Sequence, residues 1–201
     1  MKTWIYSKRN LKELMSDPLS LVFTIGLPAF LLIFITSLNR SLSVNDAFNP
    51  ENFVPATIIF SYAFLTMFTG MLISRDRSSS FLARMFVSPL KAHHYIMGYM
   101  LPIIIIAFVQ AVILYLIGIS IGLPFSINIL ISMPFLLLIA ILFIAFGLLM
   151  GSLLRNQQVA PIASILIQVV AFLSGMWFSL DLIGGAFKQV GYILPFAHAV
   201  D

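Results

Sequence analysis

Residues 95–122 read YIMGYMLPIIIIAFVQAVILYLIGISIG and contain no charged side chain. A helix of roughly 20 apolar residues crosses a hydrocarbon core about 30 Å thick, so this stretch is long enough to span a membrane. Because lipid offers no hydrogen-bond partner to the backbone, a spanning stretch of this kind must be helical. The whole chain shares this character, since 61% of its 201 residues are hydrophobic and 9% are charged. The sequence therefore predicts an all-α, polytopic membrane helix bundle.

Apolar runs of similar length recur along the chain and predict a single transmembrane domain over residues 1–201 with five spans. The predicted spans are residues 19–38, 53–74, 95–121, 127–154 and 159–178. Residues 179–201 are less apolar and are broken by glycine and proline, which favours a re-entrant or interfacial segment on the outer side.

Residues 1–17 precede the first span and predict an interfacial helix. Trp4, Leu11 and Met15 fall on one face at helical spacing, while Arg9 and Glu13 lie opposite. A flexible tail is the alternative that so short a pattern leaves open.

The lysines and arginines predict which side of the membrane each loop occupies, because cytoplasmic loops carry an excess of them. With the N-terminus inside, Arg40 and Lys188 lie outside, and the other nine of the eleven basic residues lie in the cytoplasm. These nine are Lys2, Lys8, Arg9, Lys12, Arg75, Arg77, Arg84, Lys91 and Arg155. Since the basic residues are confined to loops, they indicate orientation and no nucleic-acid partner.

Several kinds of site are missing from the sequence. No Asp, Glu, Lys, Arg or His lies in the middle of a predicted span, which argues against a proton- or sodium-driven transporter. Gln110 and Gln168 are predicted to be buried polar residues; an interhelical hydrogen bond is the favoured role for each, and a place in the substrate pathway is the alternative. The chain has no cysteine and no GxxxxGK[ST] phosphate loop, and His93-His94 has no acidic or thiolate partner at ligand spacing. We therefore expect no enzymatic site, bound cofactor or metal in this chain.

Residues 75–94, RDRSSSFLARMFVSPLKAHH, form the largest predicted cytoplasmic loop. Phe81, Leu82, Met85 and Phe86 would cover one side of a short amphipathic helix within it. Such a helix either docks into a groove on another protein or lies on the inner leaflet, and the residues alone favour neither.

This loop resembles the cytoplasmic loop of ABC-2-type permeases, the membrane subunits of a large class of ABC exporters, in which a pattern of the kind R-E-R-E-x-G-T-L-E-x-L-x-x-S-P precedes the third span. The positions that fit it in type are Arg75, Asp76, Arg77, Leu82, Met85, Ser88 and Pro89. Ser78, Ser80 and Ala83 depart from it. The resemblance extends to the SDP turn before the first span, the RNQQ loop and the segment LSGMWFSLD...LPFAHAVD.

The resemblance implies a permease subunit that pairs with a second permease copy or paralogue, and with a cytoplasmic ABC ATPase that binds ATP and magnesium. It implies outward movement of a hydrophobic or amphipathic substrate (drug, peptide or lipid) across the plasma membrane, as in bacterial exporters. A sixth span, expected in the family, would follow Asp201. The residues expected to contact the ATPase are Arg75, Asp76, Arg77, Phe81, Leu82, Arg84, Met85, Phe86 and Pro89. The alternative is an ATPase-independent membrane channel or scaffold whose amphipathic loops sense lipid.

Overall fold

The computed structural model describes residues 2–18, 22–42, 46–79, 92–173 and 176–177. Within these ranges the chain forms six α-helices. They are α1 (Lys2–Met15), α2 (Leu27–Leu42), α3 (Pro50–Ser78), α4 (Ala92–Ser120), α5 (Ile127–Leu153) and α6 (Asn156–Leu173). A π-helical turn, Val22–Gly26, leads into α2, and a 3₁₀ turn, Asp46–Phe48, precedes α3.

Four of these helices are long and apolar enough to cross a membrane, and the prediction of an all-α membrane bundle is confirmed. The first span reaches Leu42, four residues beyond its predicted end. The fifth predicted span, residues 159–178, corresponds to α6, which begins earlier, at Asn156. At 18 residues it is shorter than the other four spans, the first of which, Val22–Leu42, includes the π-helical turn. The predicted outer segment, residues 179–201, lies outside the described residues.

The predicted loop at residues 75–94 begins too early. α3 continues through Arg75, Asp76 and Arg77 to Ser78, and the N–H of Ser79 closes its last turn on the carbonyl of Arg75. Asp76 and Arg77 have partners outside α3, which are Arg9 in α1 and the carbonyl of Leu154, the residue after α5. α3 and α4 therefore flank a shorter segment, residues 80–91, which lies outside the described residues.

α3 is the central helix of the bundle and packs against α2, α4, α5 and α6. In its most apolar stretch 89% of the residues are buried, whereas the value for α5 is 22%. α3 also carries several buried hydroxyl residues. The hydroxyl of Thr66 donates an interhelical hydrogen bond to the carbonyl of Phe143 in α5, at 2.8 Å. Thr57 and Thr69 instead bond to carbonyls four residues back in α3, which satisfies them without a neighbour.

α3 and α5 cross at three glycines. A methyl group added at Gly151 would lie 2.5 Å from the carbonyl oxygen of Gly70, and one added at Gly147 would lie 2.6 Å from that of Thr66. Small residues four apart let two membrane helices bring their backbones together. Gly147 and Gly151, four residues apart, thus form the contact surface of α5 with the central helix.

Candidate functional site at the ends of α1, α3 and α4

Asp76 is the charged group around which α1, α3 and α4 meet. It is 3% exposed, although it lies in the last turns of α3. Its two carboxylate oxygens accept one hydrogen bond each from the two terminal nitrogens of Arg9 in α1, both at 3.0 Å, and the hydroxyl of Tyr99 in α4 donates to Oδ2 at 2.8 Å. Because a buried carboxylate is costly unless it is paired, this set of partners is what permits its burial.

Arg9 also bridges to Glu13 on the next turn of α1, at 3.0 Å, and Glu13 approaches Arg75 at 3.8 Å. The hydrogen bond and the charge of Asp76 raise the pKa of Arg9 above its ordinary value, so its guanidinium remains charged at any physiological pH. We call Tyr6, Arg9, Asp76 and Tyr99 the Asp76 cluster.

α1 contributes an aromatic and polar face to this contact. The Tyr6 ring packs edge-on against the rings of Tyr95 and Tyr99 in α4, with centroids 6.5 and 5.2 Å away. Burial raises the pKa of Tyr6 to about 12.

Trp4 and Met15, on the predicted apolar face, are 63% and 57% exposed. Leu11, the third residue of that predicted face, is half-buried and packs against the core. α1 therefore binds the bundle through Tyr6, Asn10 and Leu11 and leaves Trp4 and Met15 outward.

A proline explains a further bond between α1 and α4. Pro102 has no N–H, so it cannot donate to the carbonyl four residues earlier, which belongs to Gly98. The side-chain amide of Asn10, fully buried in α1, donates to that carbonyl at 3.0 Å. The Tyr6 ring lies directly against Gly98, in the space that a side chain would occupy. A donor from another helix thus replaces the helical hydrogen bond that Pro102 removes.

A second side-chain amide joins α4 to the turn that leads into α2. Nε2 of Gln110 donates to the carbonyl of Thr24, in the π-helical turn, at 2.7 Å. Gln110 is fully buried, and its Oε1 has no hydrogen-bond partner among the described residues. In this geometry Gln110 joins two helices at membrane depth.

The structure places the other predicted site residues as follows. Arg75 and Arg77 are exposed at the end of α3, where Arg77 donates to the carbonyl of Leu154 at 2.7 Å. The remaining predicted contacts, Phe81, Leu82, Arg84, Met85, Phe86 and Pro89, lie outside the described residues.

Gln168 was predicted to be buried, and this was wrong: it lies on the exposed face of α6. Gln157, Ser164 and Gln168 share one exposed face of α6, and Val159 and Ala163 are buried on the opposite face. The helical spacing of the polar residues therefore did signal which side packs.

Sequence reasoning missed the roles of Arg9, Asn10 and Tyr99. The spacing of Pro102 four residues after Gly98 does signal a carbonyl that needs an outside donor. Nothing in the sequence indicates that Asn10, 88 residues earlier, supplies it.

Comparison with known proteins identifies the family of this bundle. The family model described as ABC-2 type transporter matches residues 1–201, and the chain belongs to that family. The chain is also similar to a Bacillus subtilis (strain 168) protein named "Putative transport permease YvfS", with 22% identity over 194 residues that cover 94% of this chain and 78% of that protein. No solved structure matches the chain. The chain is thus a multi-pass membrane protein of a transport permease family, and the family implies that it works with an ABC ATPase.

Proposed function

We propose that this chain is the membrane subunit of an ATP-driven exporter and that a separate ABC ATPase binds residues 80–91. One observation carries the proposal: α3 and α4, which flank this segment, are joined to each other and to α1 by the Asp76 cluster. A force on the segment would therefore reach α3 and α4 together. An ATPase can bias the membrane helices only if it contacts their alternative conformations differently, and this segment continues directly into two of them.

Exposed positive charge supports a cytoplasmic position for this end of the bundle. Lys8, Lys12, Arg75 and Arg77 are all exposed there, and the opposite end carries Arg40. An excess of lysine and arginine is typical of the cytoplasmic side. The N-terminus would then be cytoplasmic, and a bacterial plasma membrane is the proposed location.

The geometry divides the predicted ATPase contacts into two groups. Asp76 is buried and its carboxylate is already bonded within the chain, so it supports the contact from inside. Arg75 and Arg77 are exposed and remain candidates for direct contact, together with Phe81 and Phe86 of the adjoining segment. ATP and magnesium would be bound by the ATPase.

The proposed substrate is hydrophobic or amphipathic, of the drug, peptide or lipid class, and is moved outward. The described spans support this class because the ionisable residues within them lie near the helix ends, which leaves an apolar interior. A second permease copy or paralogue would complete the membrane part.

The experiment that tests the ATPase contact is a pull-down of the full-length chain in mild detergent, with Phe81→Asp and Phe86→Asp introduced together. The bound ATPase is detected by photo-crosslinking to labelled azido-ATP and by ATP hydrolysis in the eluate. We expect both signals to be lost, because two charges would oppose docking of an apolar face.

Phe125→Asp is the matched control. Phe125 is 83% exposed between α4 and α5, at the opposite end of the bundle, so the same change there should leave capture intact. Undiminished capture by the double variant would refute the proposed contact. Absence of an ATPase from the native chain would refute the proposed function itself.

A further inference from the structure

We propose that a cleft between the end of α1 and the cytoplasmic end of α3 binds the headgroup of an inner-leaflet aminophospholipid such as phosphatidylethanolamine. Glu13 and Asp17 receive its ammonium group, and Arg75 receives its phosphate. The inference rests on the orientation proposed above, but it requires no ATPase.

The charges that line the cleft set it apart from the surface beside it. Glu13 lies in the last turn of α1, Asp17 just after α1, and Arg75 in the last turns of α3. Two carboxylates therefore accompany one guanidinium, whereas the neighbouring surface exposes Lys8 and Lys12. Such lysines attract anionic lipids. The net negative charge of the cleft favours a ligand with a cationic group instead.

Glu13 keeps an oxygen that can accept a further hydrogen bond. Its Oε2 accepts from Arg9 at 3.0 Å, whereas its Oε1 lies 3.8 Å from Nη1 of Arg75, which is too long for a hydrogen bond. The side chain of Arg75 is 57% exposed. The carboxylate and the guanidinium are thus neighbours that can hold the two opposite charges of one zwitterionic headgroup.

The size of the cleft limits the cation that fits. Its volume is about 30 Å³, which is room for roughly two groups the size of a water molecule. A primary ammonium group is of that size and donates charge-assisted hydrogen bonds to carboxylates. The trimethylammonium group of phosphatidylcholine is larger and has no N–H. The cleft therefore favours a primary amine.

The floor of the cleft is apolar and continues into the membrane. Phe68 and Leu72 in α3 are buried, and Leu14 and Met71 complete the floor. Phe68 lies roughly 10 Å deeper than Arg75 along α3, at the rise of an α-helix. An acyl chain can therefore follow the floor while its headgroup stays at the level of the charged residues. A phospholipid is the occupant that satisfies both ends of the cleft.

Competition for a photoreactive lipid tests this site. The full-length chain is placed in phosphatidylcholine nanodiscs with a trace of phosphatidylethanolamine that carries a diazirine on one acyl chain. Peptide mapping after irradiation measures the label on α1 and α3. Unlabelled phosphatidylethanolamine, phosphatidylglycerol or dodecylamine then competes. Phosphatidylglycerol has the phosphate without an amine, and dodecylamine has the amine without a phosphate.

We expect phosphatidylethanolamine to displace the label at a mole fraction about tenfold lower than either other competitor, because each of those lacks one charged hydrogen-bonding group. Glu13→Gln with Asp17→Asn keeps the shape of both side chains and should abolish the preference over phosphatidylglycerol. Arg75→Gln should abolish the preference over dodecylamine. Glu51→Gln, at an exposed carboxylate in the first turn of α3, is the matched control and should change neither preference.

Equal competition by phosphatidylglycerol in the native chain would overturn the proposal, since the lysines beside the cleft would then select the lipid. Equal competition by dodecylamine would overturn it in favour of any cationic amphiphile, a transported substrate included. Thermal unfolding checks that each variant is folded. If the double variant is not, Arg75→Gln alone decides, and an unchanged preference in it refutes the site. The samples contain no ATPase, so the outcome is independent of the proposed function.

Discussion

α3 and α4 flank the same segment, residues 80–91, yet the bundle holds them differently. In its most apolar stretch α3 has 89% of its residues buried, against 44% for α4. The internal proline of α3, Pro55, lies near its far end, whereas Pro102 interrupts α4 close to the segment. Two helices that receive the same push would therefore respond differently, α3 as a straight rod and α4 as a jointed one.

The largest expected effect comes from separating α3 from α5. The added methyl of Gly151→Ala would meet the backbone of Gly70, which cannot move without displacing the helix. We expect a loss of about 1–3 kcal/mol in the free energy of unfolding, as for overpacked cores. Thermal unfolding of the purified chain in detergent measures it.

Gly26→Ala is the control for this change. Its added methyl would meet one side-chain atom of Val22 at 3.8 Å, which is an ordinary contact, so stability should be nearly unchanged. If Gly151→Ala and Gly26→Ala lower the free energy of unfolding equally, the close packing of α3 on α5 does not contribute the expected stability.

A smaller effect is expected where α4 supports α2. Gln110→Leu removes the donor to the carbonyl of Thr24 and should cost about 1 kcal/mol. Thermal unfolding of the purified chain in detergent measures it, and Gln168→Leu is the control, because Gln168 is an exposed amide on α6. An equal loss of stability in both variants would show that the bond from Gln110 to Thr24 is not the cause.

The smallest effect concerns Tyr6. Tyr6→Phe should cost less than about 1 kcal/mol near neutral pH, because the hydroxyl lies 3.5 Å from Asp76 and bonds to it weakly. The pKa of Tyr6 is raised to about 12 from 10, so the folded chain retains this proton where the unfolded chain loses it. That contribution to stability is complete below pH 10 and is lost as pH rises toward 12. Between pH 10 and 12 the free energy of unfolding of the native chain should therefore fall more steeply with pH than that of Tyr6→Phe. Identical pH profiles of the two proteins would refute the raised pKa of Tyr6.

Much of the fold could be predicted from the sequence. Long runs without charge predict membrane helices whatever their neighbours, because the backbone must bond to itself in lipid. The boundaries were less accurate where charged residues make tertiary contacts. In α3, which extends past Arg75, Asp76 bonds to Arg9, and Arg77 bonds to the carbonyl of Leu154.

The candidate site was predicted less well. The sequence pointed to residues 75–77, but it treated Asp76 as a contact for a partner protein, and the structure buries it inside the chain. Gln110 and Gln168 were treated alike, although Gln168 shares a helix face with two other polar residues. That spacing separates them, because one faces the bundle interior and the other faces outward.

By itself, the sequence determined that this chain is a membrane helix bundle, which helices contain prolines, and which loops carry positive charge. Composition and length decide those features locally. The tertiary structure alone decided which donor satisfies the Gly98 carbonyl that Pro102 leaves without its helical partner, and which cation neutralises Asp76. The physical reason is that a buried polar group must be satisfied, but its partner can come from any element that packs against it, at any distance along the chain.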